Sequence, residues 1–316
     1  MRWLRLTAIA ATAGVATVSL AGGCGARTEL AAPLTTDAAE DPVADHVDAA
    51  EEDAPEEDAL PNIDQFVDAP IPTDCPDAGS TLVYVITAEN DLYSFYPPTL
   101  AFSKIGTIAC PGAKSTPYSM AVDRKGTAYS VFADGTLWQI STANAACKST
   151  PYVPSPQGTP FFNFGMGFSG TQTSDTLYVC DAQFTANSQG LATIDTTTFK
   201  RTFIAQFQPE LPRCELTGTG DGRLFAFCLF TSGNGSQIAE IDPQTAKIIA
   251  VNQLKLGNAN DAFAWAFWGG YFWIFTGPSG STDVTRYDPQ TFAETPVTTL
   301  PNRTIVGAGV STCAPQ

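Results

Sequence analysis

One phrase recurs five times in the last 242 residues of this sequence: a short alternating strand, a turn rich in Pro, Asp and Thr, then a second strand. It appears at residues 92–100 (LYSFYPPTL), 137–143 (LWQISTA), 192–199 (ATIDTTTF), 238–246 (IAEIDPQTA) and 284–292 (VTRYDPQTF). In the last two copies Asp242-Pro243 and Asp288-Pro289 hold the first two positions of a type I turn, where Asp accepts backbone hydrogen bonds and Pro presets φ. A spacing of roughly 45 to 55 residues is the length of one four-stranded blade in propeller and kelch-like arrays. Each blade in such an array is too small to bury its faces alone and must stack on its neighbours.

Hairpins precede the copies. Residues 118–123 and 127–132 flank Arg124-Lys125-Gly126, residues 215–219 and 223–229 flank Gly220-Asp221-Gly222, and residues 262–268 and 271–275 flank Gly269-Gly270. The first strand of each pair is expected innermost, because crowding about a central axis favours small side chains such as those of Phe164-Gly165-Met166-Gly167. The domain opens in the middle of a unit, at 81–87 and 92–95, and closes on an unpaired inner-type strand, 304–312. If that strand completes the first blade, the ring has no exposed end. The reading is an all-β chain, a five-bladed β-propeller with cross-terminus closure over residues 75–316. A β-sandwich is the other sheet architecture open to such strands, but it does not explain a repeat this regular.

The Asp-Pro-x-Thr turns resemble those of bacterial β-propeller lipoproteins with YVTN or kelch-like repeats, and the passage 214–225 (CELTGTGDGRLF) is similar to propeller units common in predatory soil bacteria. This resemblance covers residues 81–316 and implies architecture rather than activity, since propellers host binding, scaffolding and catalysis alike.

Charge is partitioned along the chain. Residues 1–27 hold Arg2, Arg5 and Arg27 with no acid, residues 28–74 hold fifteen acids with no Lys or Arg, and the remainder holds seventeen acids and thirteen bases, for net charges of +3, −15 and −4. The low isoelectric point therefore belongs to the middle segment. A mildly acidic domain lacks the basic footprint that nucleic acid requires, so no nucleic-acid partner is expected.

Residues 1–23 have the layout of a secretory signal, with a charged start and an Ala/Thr/Val-rich run ending in small residues. Leu20-Ala21-Gly22-Gly23-Cys24 resembles a lipobox, with Ala21 where the large aliphatic residue usually stands and Leu20 one position further back. The resemblance implies cleavage before Cys24 and lipidation of that residue. Gly25 resembles the second residue of lipoproteins sent to the outer membrane, so the chain is expected to be exported and lipid-anchored there, periplasmic or surface-facing. Residues 24–74, built of Ala, Asp, Glu and Pro, bury too little apolar surface to offset ordering entropy and read as an extended, disordered tether. His46, the one histidine, lies in it. The propeller thus has no Ser-His or Cys-His pair and no His-ligated metal, and neither cofactor nor metal is expected.

Seven cysteines remain in an exported chain, an odd number, so at least one has no partner within it. A three-residue turn at 220–222 would set Cys214 opposite Cys228. Cys75 and Cys313 flank the proposed seam, and Cys110 and Cys147 follow the outer strands of adjacent units.

Propellers that hydrolyse sugars need two carboxylates on the axis. Asp123, Asp181, Glu215 and Asp261 are the candidates, with Arg213 as a possible anion contact. The competing reading gives them turn-capping and surface roles, and it is preferred because turn Asp is common on mechanism alone. Most aromatic residues are expected between blades, with Trp268 and Tyr271, beside Gly269-Gly270, as candidates for a ligand platform. The functional expectation is a monomeric, non-enzymatic protein-binding or scaffolding propeller at the cell envelope. The alternative is a glycan-binding or glycan-hydrolysing propeller that uses funnel carboxylates.

Overall fold

A computed structural model describes Leu60, Ile63, Cys75 and residues 82–316 apart from 172, 183–186, 231–234, 258–261 and 279. Residues 1–23, expected as a signal peptide, together with Cys24, His46 and nearly all of the acidic segment, fall outside the described residues.

Among the described residues, twenty strands form five four-stranded antiparallel sheets. From the axis outward, blade two is β4 (Pro117–Val122), β5 (Thr127–Phe132), β6 (Leu137–Ser141) and β7 (Cys147–Ser149). Blade three is β8 (Phe164–Gly170), β9 (Asp175–Asp181), β10 (Leu191–Ile194) and β11 (Arg201–Ala205). Blade four is β12 (Arg213–Gly218), β13 (Leu224–Leu229), β14 (Ser236–Ile241) and β15 (Ile248–Leu254). Blade five is β16 (Ala262–Trp268), β17 (Tyr271–Gly277), β18 (Thr282–Asp288) and β19 (Ala293–Leu300). Blade one joins the two ends of the chain: β20 (Ile305–Val310) lies inside β1 (Val83–Thr87), followed by β2 (Asp91–Tyr96) and β3 (Ala101–Thr107). Its seam runs antiparallel with Val83 opposite Val310 and Val85 opposite Ala308. The inner strands touch in the cyclic order β20, β4, β8, β12, β16 and back to β20, which closes the ring of a five-bladed β-propeller.

The repeated phrase is the third strand of each blade, its turn and the start of the fourth. Asp195, Asp242 and Asp288 each accept, at Oδ1, the backbone N–H groups two and three residues ahead. The turn then ends on a left-handed residue at the equivalent place in every blade: Leu100, Ala145, Phe199, Ala246 and Phe292, all with φ between 56° and 59°. Those backbone bonds hold the Asp195 and Asp242 carboxyls below their ordinary value.

Crowding at the axis explains the small residues of the inner strands. A Cβ on Gly167 would lie 2.7 Å from the Leu216 carbonyl, and one on Gly307 would lie 2.7 Å from the Met120 nitrogen. Gly165 meets Cys214 where Gly167 meets Leu216, and Gly307 meets Met120 where Gly309 meets Val122, so these neighbouring inner strands run in the same direction and their first residues meet at one end of the axis. Five apolar clusters fill the wedges between successive blades. In the wedge between blades four and five, Trp265 stacks on Phe272 at 4.8 Å, with Phe225, Phe227 and Phe267 packed around them. Each such ring contributes about 1.5–3 kcal/mol through burial. Outer strands such as β3 are largely exposed.

Three disulfides join Cys75 to Cys313, Cys110 to Cys147 and Cys214 to Cys228, and Cys180 is a buried free thiol. Cys214 and Cys228 are register partners on β12 and β13. The C-terminus is further held by Asp175, whose carboxylate accepts the Thr312 hydroxyl at 2.7 Å and pairs with the buried Arg124 guanidinium at 2.8 Å.

Candidate functional site

The starts of the inner strands enclose a cavity of about 130 Å³ on the axis, lined by Pro117 and Tyr118 of β4, Arg213 and Glu215 of β12, Ala262 and Phe263 of β16, and Val306 of β20. Four of the five blades contribute. The Arg213 guanidinium lies 4.7 Å from the centre of the Phe263 ring, and the Tyr118 hydroxyl donates to the Ala182 carbonyl at 3.0 Å.

Glu215 is the centre of this end of the ring. Its Oε2 accepts the Ser119 hydroxyl at 2.6 Å and the Met166 N–H at 3.4 Å, while its main-chain carbonyl accepts the Trp265 indole N–H at 3.0 Å. One residue of blade four is thereby bonded to blades two, three and five. Burial, only partly opposed by the Ser119 and Met166 hydrogen bonds and by the positive charge of Arg213, pushes its carboxyl up to about 8. At neutral pH the side chain therefore holds a proton and can donate as well as accept.

The other described carboxylates are turned elsewhere. Asp123 caps the β4–β5 turn through the N–H groups of Lys125 and Thr127, at 3.0 and 2.8 Å. Asp181 is wholly buried and accepts the N–H of Phe161 at 2.7 Å and of Gln189 at 3.2 Å, tying down two loops. Neither lines the cavity. Asp261, one residue before the cavity-lining Ala262, lies outside the described residues. Retaining and inverting glycosidases both require two carboxylates flanking one bond. Among the described residues, Glu215 is the one carboxylate at this cavity.

Trp268 and Tyr271 do sit together at the β16–β17 turn, half-buried. The Trp268 ring meets Tyr96 edge-on at 6.3 Å, and the Tyr271 ring is covered by the Arg286 guanidinium at 4.8 Å. Both rings thus have their faces or edges engaged within the protein. Ser119 and Tyr118 were not singled out in the sequence. Their only signal is their place at the start of an inner strand, which marks every residue that can reach the axis.

A larger groove of about 820 Å³ runs along blade four beside blade five. Its wall includes Leu60. Close by, Ile63 is buried among Phe225, Phe227 and Trp265, with its N–H donating to Asn252 Oδ1 at 3.1 Å. The chain before the propeller is therefore seated on it at these two residues.

No family model and no curated protein matches the sequence. Among solved structures, TolB from Acinetobacter baumannii aligns at 14% identity and a TM-score of 0.43, over 72% of this chain and 55% of that one. The Dos1 propeller aligns at 12% and 0.34, over 71% and 56%. A regucalcin from Agrobacterium tumefaciens, described as calcium-binding, aligns at 12% and 0.39, over 77% and 79%. The chain spans little more than half the length of the first two. Likeness this distant says nothing of activity, and the count of five blades rests on the strand pairing itself.

Proposed function

We propose that this chain is an exported, lipid-anchored envelope protein whose propeller, of the Asp-Pro-x-Thr repeat type, binds a protein partner and performs no catalysis. The observation that carries the reading is the hydrogen bonding of Glu215. The one described carboxyl on the axial cavity is taken up in a hydrogen-bonded junction of four blades, and burial pushes it up to about 8. Among the described residues the cavity holds no second carboxylate to pair with it, and glycoside displacement or water activation uses two. The N-terminal charge layout, Cys24 in its small-residue setting and the acidic segment support the address.

The test is hydrolysis. Purified chain is incubated with aryl glycosides and with cell-wall oligosaccharides, alongside Glu215→Gln and Asp261→Asn. No release of product above a denatured control is expected. Turnover that either substitution abolishes would overturn the binding reading in favour of a glycosidase.

A further inference from the structure

We infer that the axial cavity is a binding site for a small aliphatic carboxylate, held by the Arg213 guanidinium and by Oε1 of Glu215. Such a site is separate from the partner-binding role of the propeller and needs no second protein.

The two oxygens of Glu215 are used differently. Oε2 takes two donors, the Ser119 hydroxyl at 2.6 Å and the Met166 N–H at 3.4 Å, whereas Oε1 makes no hydrogen bond to a described residue. Glu215 lines the cavity while only 6% exposed, and Oε1, unlike Arg286 Nε, is not sealed from solvent, which leaves the cavity as the place it reaches. With both donors on Oε2, that atom is the carbonyl oxygen of the neutral acid and Oε1 is its hydroxyl, which has to donate. Burial, which pushes the carboxyl up to about 8, favours that form. An O–H so placed is costly until an acceptor meets it, and a ligand in the cavity supplies one.

Arg213 supplies the charge. Its guanidinium lies 4.7 Å from the centre of the Phe263 ring and gives a hydrogen bond to Tyr118. Stacking occupies a face of the guanidinium, not its N–H edge, and its five donors form a planar fork that matches a carboxylate and exceeds what Tyr118 alone accepts. With Glu215 neutral, the described lining carries one positive charge, which calls for an anion.

The remaining walls limit which anion. Pro117, Ala262, Phe263 and Val306 are apolar and offer nothing to the hydroxyls of a sugar or to the further oxygens of a phosphate, but they suit a short alkyl chain. A volume of about 130 Å³ is close to the ~150 Å³ of a cavity that takes up benzene, so the acid is about two to four carbons long.

Calorimetric titration of the full chain with sodium propionate is expected to show one saturable site with a Kd in the millimolar range or tighter. Propionamide, which has the same shape and no charge, should bind at least about tenfold more weakly. Arg213→Lys, which keeps the charge and removes the fork, should weaken propionate about tenfold. Glu215→Gln, whose amide NH2 can donate from the Oε1 position, should bind it within about threefold of the unsubstituted chain. Each variant is first shown to unfold cooperatively in urea, and the contrast between propionate and propionamide needs no variant. Absence of saturable propionate binding overturns the site, as does equal binding of the amide. Inorganic phosphate bound as tightly as propionate would also overturn it, by making Arg213 a general anion contact. So would L-alanine bound far more tightly than propionate, because that requires an ionised Glu215 receiving an ammonium group. Loss of propionate in a folded Glu215→Gln would overturn the donor role of Oε1.

Discussion

The Ser119 hydroxyl donates to Glu215 Oε2 across 2.6 Å, joining blade two to blade four past the strand of blade three that separates them in the ring. The bond works because the axis at this level is narrow enough for non-adjacent blades to touch, and it holds the carboxyl in a largely buried place.

A pH dependence follows from that burial. The Glu215 carboxyl has an ordinary value of 4.5 and is pushed up to about 8 in the folded chain, so above pH 4.5 the native state keeps a proton that the unfolded chain has released. Its stabilising contribution is whole below about pH 4.5 and is lost as pH rises through about 8. Urea unfolding of the unsubstituted chain should therefore show stability falling between pH 6 and pH 9, by an amount on the order of a few kcal/mol. Glu215→Gln, which keeps the shape and can still bond Ser119, should flatten the slope. An equal slope in both proteins would mean that Glu215 is ionised in the fold.

The seam disulfide should matter more than the one between outer strands. Cys75–Cys313 spans 238 residues and Cys110–Cys147 spans 37. On the chain-entropy account the longer loop constrains the unfolded state by about 1–2 kcal/mol more. Thermal unfolding of Cys75→Ser and Cys110→Ser under non-reducing conditions checks this. The larger loss is expected in Cys75→Ser, and the reverse order would show that β20–β1 pairing and packing hold the ring without covalent help.

Lipidation has a direct readout. Metabolic labelling with a palmitate analogue should mark the chain in membranes, and Cys24→Ser should remove the label and release the protein in soluble form. Label that persists in Cys24→Ser would defeat the anchor.

Much of the architecture was legible in the sequence because a blade is a local object. Hairpins at 124–126, 220–222 and 269–270, and turns at Asp195, Asp242 and Asp288, are set by residues a few positions apart, and their recurrence counts the blades. The inner-strand type of residues 304–312 announced the seam, and the same reasoning set Cys214 opposite Cys228. The candidate site was less readable. Asp123, Asp181 and Glu215 are alike as letters, yet Asp123 caps its own turn, Asp181 binds loops on either side, and Glu215 alone turns to the axis.

Periodicity and turn chemistry, which act over a few residues, determined from the sequence alone that this chain makes five small sheets and closes them end to end. Only the tertiary structure decided that Ser119 meets Glu215 at a sequence separation of 96, and that Ile63 meets Asn252 at a separation of 189. Both contacts depend on how blades tilt and pack around the axis, a property of side-chain volumes summed over whole wedges that no single stretch of sequence contains.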